Sequence, residues 1–240
     1  MARPFNLNAF AYAHRGLWQT SGPPENSLAA FRAAARAGLG IELDLRPSAD
    51  GETMIFHDDR LDRMTPASGL FEARGAAELR TLRLTGSEET VPGFSDLLDI
   101  WPQSLPMLCE MKVDAATDPV RFARSVAARL KDWKGLAAAM SFSEAGVRAL
   151  PENMMRGQLI APASKLGEAQ FTAIAGRAVR DGIDYLGVHH TDVARAEAIA
   201  RTSLTPFVVW TVRSQAELEA VRPYGCAIIF EHIDPAPAAP

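Results

Sequence analysis

Glu42 and Asp44 stand two residues apart in the run Ile41-Glu42-Leu43-Asp44-Leu45. Successive strand residues face opposite sides, so the two carboxylates share one face and the three aliphatic side chains share the other. Buried without partners, each carboxylate costs on the order of several kcal/mol in desolvation, and the two repel each other. Exposure at a strand end, pairing with arginine, or a shared divalent cation would each relieve that cost. A second run of the same kind, Leu108-Cys109-Glu110-Met111-Lys112, brings Glu110 and Lys112 onto one face and favours the cation. Three hard oxygen donors completed by water suit Mg²⁺ or Ca²⁺, whereas Zn²⁺ would prefer histidine or cysteine. Lys112 adds a point charge able to hold a phosphate beside such an ion.

Two histidines close other strand-like runs, His14 in His14-Arg15-Gly16 and His57 in His57-Asp58-Asp59. A lone histidine at a strand end can be a cap or a core residue. Two of them, with three carboxylates and an arginine, form an acid–base set. Imidazole exchanges protons near neutral pH, and phosphodiester cleavage needs that exchange on both the attacking and the leaving oxygen. Arg15 can grip phosphate with its planar fork of donors. Trp210, at another strand end, can stack on a substrate or pack in the core. His189 and His190 are expected to reach the same end of the sheet. Asn26 or Ser27 should cap the first helix, with Glu25 buttressing Arg15 or the cation ligands.

These residues lie within an ordered series of motifs. Ala13-His14-Arg15-Gly16, Pro24-Glu25-Asn26-Ser27, Ala30-Phe31 and Glu42-Leu43-Asp44 come first. Asp50-Gly51, His57-Asp58-Asp59-Arg60-Leu61 with Arg63 and Thr65, Pro92-Gly93-Phe94 and Glu110-Met111-Lys112 follow. Ser141-Phe142 and Trp210-Thr211-Val212 complete it. The series resembles the glycerophosphodiester phosphodiesterases over nearly the whole chain. The resemblance implies a barrel enzyme that hydrolyses a glycerophosphodiester to glycerol 3-phosphate and an alcohol. It also implies one divalent cation held at Glu42, Asp44 and Glu110, an acid–base pair at His14 and His57, and phosphate contacts from Arg15 and Lys112. Attack by the glycerol 2-hydroxyl through a cyclic phosphate is the route it suggests, with direct attack by water as the alternative. The same centre on lysophospholipids, or a barrel that binds phosphate without catalysis, are the rival readings. Two places depart from the pattern. Arg213 stands where the family usually has Asn, and Ile229-Phe230-Glu231-His232 replaces a final-strand Thr-Asp, which alters the expected rim of the pocket.

The elements that must carry these side chains alternate. Strand candidates are Ala9–Ala13, Leu39–Leu45, Leu105–Met111, Ala137–Phe142, Met155–Ile160, Tyr185–Val188, Pro206–Thr211 and Ala227–Phe230. Helical spacing occupies Ser27–Ala37, Pro119–Leu130, Ser143–Leu150, Glu168–Arg180, Val193–Ala200 and Gln215–Val221. Eight strands alternating with helices predict a (β/α)₈ barrel, with a doubly wound open sheet as the other architecture. Asp50-Gly51 predicts a hairpin appended to the second strand, running to His57. Residues 58–93 then form a loop excursion with one helical pattern at Ala76–Leu79, whose apolar pair is Leu70-Phe71.

One domain over residues 1–240 is expected, with Pro235–Pro240 a frayed tail. A net charge of −4 excludes a protein that binds nucleic acid through a general basic surface. It leaves room for a small anionic substrate in a locally charged cleft. No apolar run long enough to span a membrane and no signal peptide are visible. Cys109 and Cys226 sit in apolar strand runs and read as reduced core thiols of a cytoplasmic protein.

Overall fold

Short apolar strand runs alternating with stretches of 3.6-residue period call for a parallel sheet buried on both faces and covered by helices. The computed structural model, which describes residues 4–233, meets that demand with a closed barrel. Its strands are β1 (Tyr12–His14), β2 (Gly40–Pro47), β3 (Thr53–Ile55), β4 (Met107–Met111), β5 (Ala137–Ser141), β6 (Met155–Ile160), β7 (Tyr185–His189), β8 (Phe207–Val212) and β9 (Ala227–Phe230). All but β3 are parallel barrel staves. Because β1 pairs with β2 on one side and β9 on the other, the sheet has no edge there, and the open doubly wound alternative is ruled out. β3 runs antiparallel to β2 with Leu45 opposite Ile55, as the Asp50-Gly51 hairpin predicts. The expected tail, Pro235–Pro240, lies outside the described residues.

Helices fill the outside: α1 (Leu28–Arg36), α2 (Ala76–Leu79), α3 (Phe94–Ile100), α4 (Pro119–Leu130), α5 (Glu144–Ala149), α6 (Ala163–Leu166), α7 (Glu168–Arg180), α8 (Val193–Ser203) and α9 (Gln215–Val221). Of these, α3 and α6 escape the sequence reading. Both are short, and α3 directly follows the polar excursion. The first strand is also displaced. Leu7–Ala9 is a 3₁₀ turn capped by Asn6, and the strand begins only at Tyr12. The apolar run that suggested a strand from Ala9 includes part of this turn, whose Leu7 plugs the bottom of the barrel.

Two apolar layers follow from the alternation. Ile41, Leu43, Leu45, Cys109 and Met111 face the helices, packing with Phe31, Phe94 and Phe122. Tyr12, Leu108, Met140, Leu159, Tyr185 and Ile229 fill the barrel interior. The interior is tight enough to need glycine. A Cβ on Gly157 would fall 2.2 Å from Tyr185 Cζ, and one on Gly187 2.4 Å from Leu159 Cδ2. The excursion carries its own small core of Met54, Phe56, Leu61, Phe71, Leu79, Leu84 and Val91, with Phe56 and Phe71 stacked at 4.7 Å. Residues 58–93 are therefore a packed cap on the barrel wall rather than a loose loop.

Gly157→Ala is expected to destabilise the barrel by about 1–3 kcal/mol, because the Tyr185 ring has nowhere to retreat in a filled interior. Urea unfolding of the variant against wild type measures this, and an unchanged midpoint would contradict the packing described.

Candidate functional site

Strand register assembles the site before any side chain is considered. His14 at the end of β1 lies beside Glu42 of β2, and Asp44 of β2 lies beside Glu110 of β4. Lys112 follows β4, held to β2 by its amide bond to the Leu45 carbonyl at 3.0 Å. Since Ile41, Leu43 and Leu45 take the outward positions, Glu42 and Asp44 turn inward at the C-terminal mouth of the barrel. Carboxylate oxygens of Glu42, Asp44 and Glu110 lie within 4.8 Å of one another, and all three residues are buried. Lys112 Nζ stands 2.8 Å from Glu110 Oε1 and 3.0 Å from Asp44 Oδ1. Arg15 Nε is 3.2 Å from Asp44 Oδ2, while its Nη1 donates to Glu25 Oε1 at 2.9 Å.

Two tight turns set these contacts. Arg15 (φ +58°) and Gly16 (φ +82°) turn the chain sharply after β1, and the Arg15 amide donates to Glu42 Oε2 at 3.2 Å. Asn26 also takes a left-handed conformation, φ +57°, which asparagine tolerates better than most residues. Its Nδ2 donates to Asp44 Oδ2 at 2.8 Å, and its Oδ1 accepts from the Asp44 amide at 3.3 Å. Of the two expected caps, Ser27 is the one that caps α1, accepting from the Ala30 amide. Asn26 instead clamps Asp44. Glu25 does buttress Arg15, as expected.

Charge is finely divided here. Burial and the repulsion of Asp44 and Glu110 push Glu42 well above the usual carboxylate range. Burial would do the same to Asp44, but Lys112 and Arg15 outweigh it and hold that carboxyl far below its ordinary value. Burial opposes the charge on Lys112, which Asp44 and Glu110 more than restore. With all three carboxylates ionised, one ammonium and one guanidinium would leave one negative charge in excess, and the reluctance of Glu42 to ionise is its sign. A divalent cation fits this donor set: it removes the excess, reverses the sign, and finds three hard oxygens already gathered.

The two imidazoles are held alike. His57 Nδ1 lies 2.7 Å from Asp58 Oδ1, and Asp58 in turn accepts from Arg63 Nε at 2.6 Å. Arg63 reaches on to Glu25 at 2.7 Å, which ties the excursion to the Arg15 network. His14 Nδ1 lies 2.6 Å from Glu231 Oε2, and Arg213 Nε donates to the other oxygen of Glu231. Burial lowers the His14 pKa, a shift that the bond to Glu231 opposes. Burial alone would raise Glu231, but its bonds to His14 and Arg213 pull it down to about 2. His14 Nε2 faces Glu42 Oε2 at 3.9 Å. The His57 carbonyl is anchored by Arg46 Nε at 2.9 Å.

A cavity of about 210 Å³ is lined by His14, Arg15, Glu42, His57, Glu110, Lys112 and Trp210, with Asp44 fully buried beside them. Its apolar wall is Met140, Leu159, Ile229 and Trp210. An outer cavity of about 350 Å³ shares His57, Glu110, Lys112 and Phe142 with it and opens between Asp58, Asp59, Asp114 and Arg46. Trp210 packs edge-on to Phe142 at 5.6 Å and to His189 at 5.3 Å. Its buried Nε1 has no partner among the described residues. His189 bonds Thr191 Oγ1 at 2.8 Å, and neither it nor His190 lines the inner cavity. Cys109 points away from the site into the helix layer. Sequence reasoning assigned no role to Glu231, Arg213, Asp58, Arg63 or Phe142. Barrel closure could have found the first of these, since it sets the residue after Phe230 beside the residue after Ala13.

A model of the glycerophosphoryl diester phosphodiesterase family matches residues 14–234. A Mycobacterium tuberculosis protein named "Probable glycerophosphodiester phosphodiesterase 1" is 28% identical over 258 residues, covering 93% of this chain and 89% of that protein. Among solved structures, an Oleispira antarctica phosphodiesterase in complex with the product sn-glycerol-3-phosphate superposes with a TM-score of 0.80. Its identity is 23%, and the match covers 92% of each chain. A glycerophosphodiester phosphodiesterase from Thermotoga maritima gives a TM-score of 0.77 at 21% identity, covering 92% of this chain and 94% of that one. At these identities the structural likeness is one of fold.

Asn26→Ala is expected to cost about 1–3 kcal/mol for the lost buried amide bonds, and it keeps the left-handed Cβ strain of about 1–2 kcal/mol without the side-chain bonds that offset it in asparagine. Asn26→Gly removes the second cost and keeps the first, so the two variants should differ in thermal or urea stability in that order. Equal stabilities would show that the backbone turn carries no strain.

Proposed function

Because the chain belongs to the glycerophosphoryl diester phosphodiesterase family, and so is an enzyme that cleaves glycerophosphodiesters, we propose that it does so with one divalent cation and two imidazoles. The observation that carries this reading is the Glu42–Asp44–Glu110 cluster, with His14 and His57 lining the same cavity. Glu42, Asp44 and Glu110 are the ligands, and Mg²⁺ or Ca²⁺ is the ion their hard oxygens suit. Bound there, such an ion would polarise a phosphoryl oxygen and acidify the attacking hydroxyl. It would also leave the cluster one positive charge, the complement of a phosphodiester monoanion.

Arg15 and Lys112 supply the remaining donors for the phosphoryl oxygens, already oriented by Glu25, Asp44 and Glu110. One imidazole takes the proton of the attacking hydroxyl, and the other gives a proton to the departing alkoxide. The attacking group is the glycerol 2-hydroxyl in the cyclic route and water in the direct one. The inner cavity suits the glycerol moiety, whose carbon face packs on Trp210. The released alcohol then leaves through the outer cavity, past Phe142. The solved complex of the Oleispira antarctica phosphodiesterase with sn-glycerol-3-phosphate supports a product of this class.

Lysophospholipids would need an apolar rim, and the Leu70-Phe71 pair does not form one: Phe71 is buried in the core of the excursion. No helix among the described residues is long and apolar enough to cross a membrane. The two unpaired thiols, Cys109 and Cys226, support a reducing, cytoplasmic setting.

Turnover of glycerophosphocholine is expected to vanish with a chelator and return with Mg²⁺ or Ca²⁺, with lysophosphatidylcholine a poor substrate by comparison. His14→Ala and His57→Ala should each lower kcat by about 10²–10⁴. Chelator-resistant turnover would refute the cation, and full activity in both histidine variants would refute the acid–base pair.

A further inference from the structure

The two places where the sequence departs from the pattern it resembles, Arg213 and Glu231, are bonded to each other in the structure. They stand at the ends of adjacent staves, Arg213 just past β8 and Glu231 just past β9. Neither belongs to the cluster proposed to hold the cation.

Glu231 is placed by backbone before it acts by side chain. Its amide donates to the Val212 carbonyl at 3.0 Å, and Phe230 pairs with Ala13 across the closure of the barrel. The carboxylate thus arrives beside His14, with its side chain only 9% exposed. Both oxygens are engaged, one on His14 Nδ1 and the other on Arg213 Nε. Arg213 is anchored in turn, its amide donating to Glu217 Oε2 at 2.6 Å. A neutral imidazole has one N–H, and an ionised carboxylate is a pure acceptor, so a carboxylate at Nδ1 selects the tautomer with its proton there. The lone pair is then on Nε2, the nitrogen that faces Glu42 and the inner cavity. His57 shows the same chain of contacts, with Asp58 on Nδ1 and Arg63 behind it.

We propose that Glu231, braced by Arg213, is a positioning residue for His14: it fixes the ring and its Nδ1–H tautomer so that Nε2 is presented to the reacting oxygen. The inference rests on the acid–base reading of His14. Without a partner, the carboxylate at position 231 would be buried beside a neutral imidazole with no cation to balance it. Arg213 supplies that balance from the half-exposed rim.

The test uses the cation-loaded enzyme and glycerophosphocholine. Glu231→Ala should lower kcat by about 10–100-fold, with KM within about two-fold of wild type. Glu231→Gln, which keeps an acceptor oxygen, should recover part of that loss, and Arg213→Ala should lose less than Glu231→Ala. If Glu231 acts through His14, the His14→Ala/Glu231→Ala double variant should be no slower than His14→Ala alone. Ring ¹⁵N shifts of His14 should report a protonated Nδ1 in wild type and a mixture of tautomers in Glu231→Ala. Additive losses in the double variant, a raised KM with kcat intact, or an Nε2–H ring in wild type would each overturn the proposal. Should Glu231→Ala fail to fold by circular dichroism, Glu231→Gln and its double variant with His14→Ala carry the same comparison. A fully active His14→Ala would sink the acid–base reading itself. A crippled His14→Ala beside a fully active Glu231→Ala would sink this inference alone.

Discussion

Three carboxylates gathered in the mouth of an apolar barrel repel one another, and most of what surrounds Glu42, Asp44 and Glu110 answers that repulsion. Lys112 and Arg15 lie against Asp44 and hold it ionised. Asn26 adds donated hydrogen bonds without adding charge. Glu25 and Arg63 then keep Arg15 from swinging away. Even so, compensation stops short at Glu42, whose carboxyl remains the most reluctant to ionise. A chain optimised for stability alone would fill these positions with aliphatic residues, as it does one layer deeper with Leu108, Met140 and Leu159. The uncompensated charge is the cost of function, and it marks the site more sharply than the shape of the cavity does.

Holding that charge in place is the work of the closed sheet. Each ligand sits on a stave whose register is fixed by neighbours on both sides, so the positions of carboxylates on β2 and β4 follow from backbone pairing. Below them, Gly157 and Gly187 admit Tyr185 and Leu159 into an interior with no slack. Above them, the packed excursion carries Asp58 and Arg63 to His57. Rigid staves and a rigid cap leave the polar groups few alternatives to the arrangement seen.

What the sequence made legible follows the same division. Barrel staves were readable because alternation in Ile41–Leu45 and Leu108–Lys112 is set by one face being buried against helices, a local constraint. β6, β9, α4, α7 and α9 fall at the residues that their periodicity marks. The first stave was misplaced because the apolar residues of the Leu7–Ala9 turn plug the barrel rather than pair within it. The cluster itself was readable because like charges at period two have few structural uses. The partners of the histidines were less so. Asp58 is adjacent to His57 in sequence and went without a role only because adjacency alone says little. Glu231 is joined to His14 solely by closure of the barrel, a long-range fact that local pattern does not carry. Asn26 and Ser27 both suit a helix cap by residue type, and only the left-handed turn at Asn26 decides between them.

The seam between β1 and β9 has a consequence for how the molecule comes into being. His14 stands on the first stave, and its carboxylate partner is 217 residues further on. Until the final stave is made and slots between its neighbours, the first stave has one open flank and its imidazole hangs without a brace. A chain cut short before Ala227 therefore loses more than an edge of the sheet: it loses the alignment of a group laid down on the first stave. The ribosome finishes the site last, though it began it first.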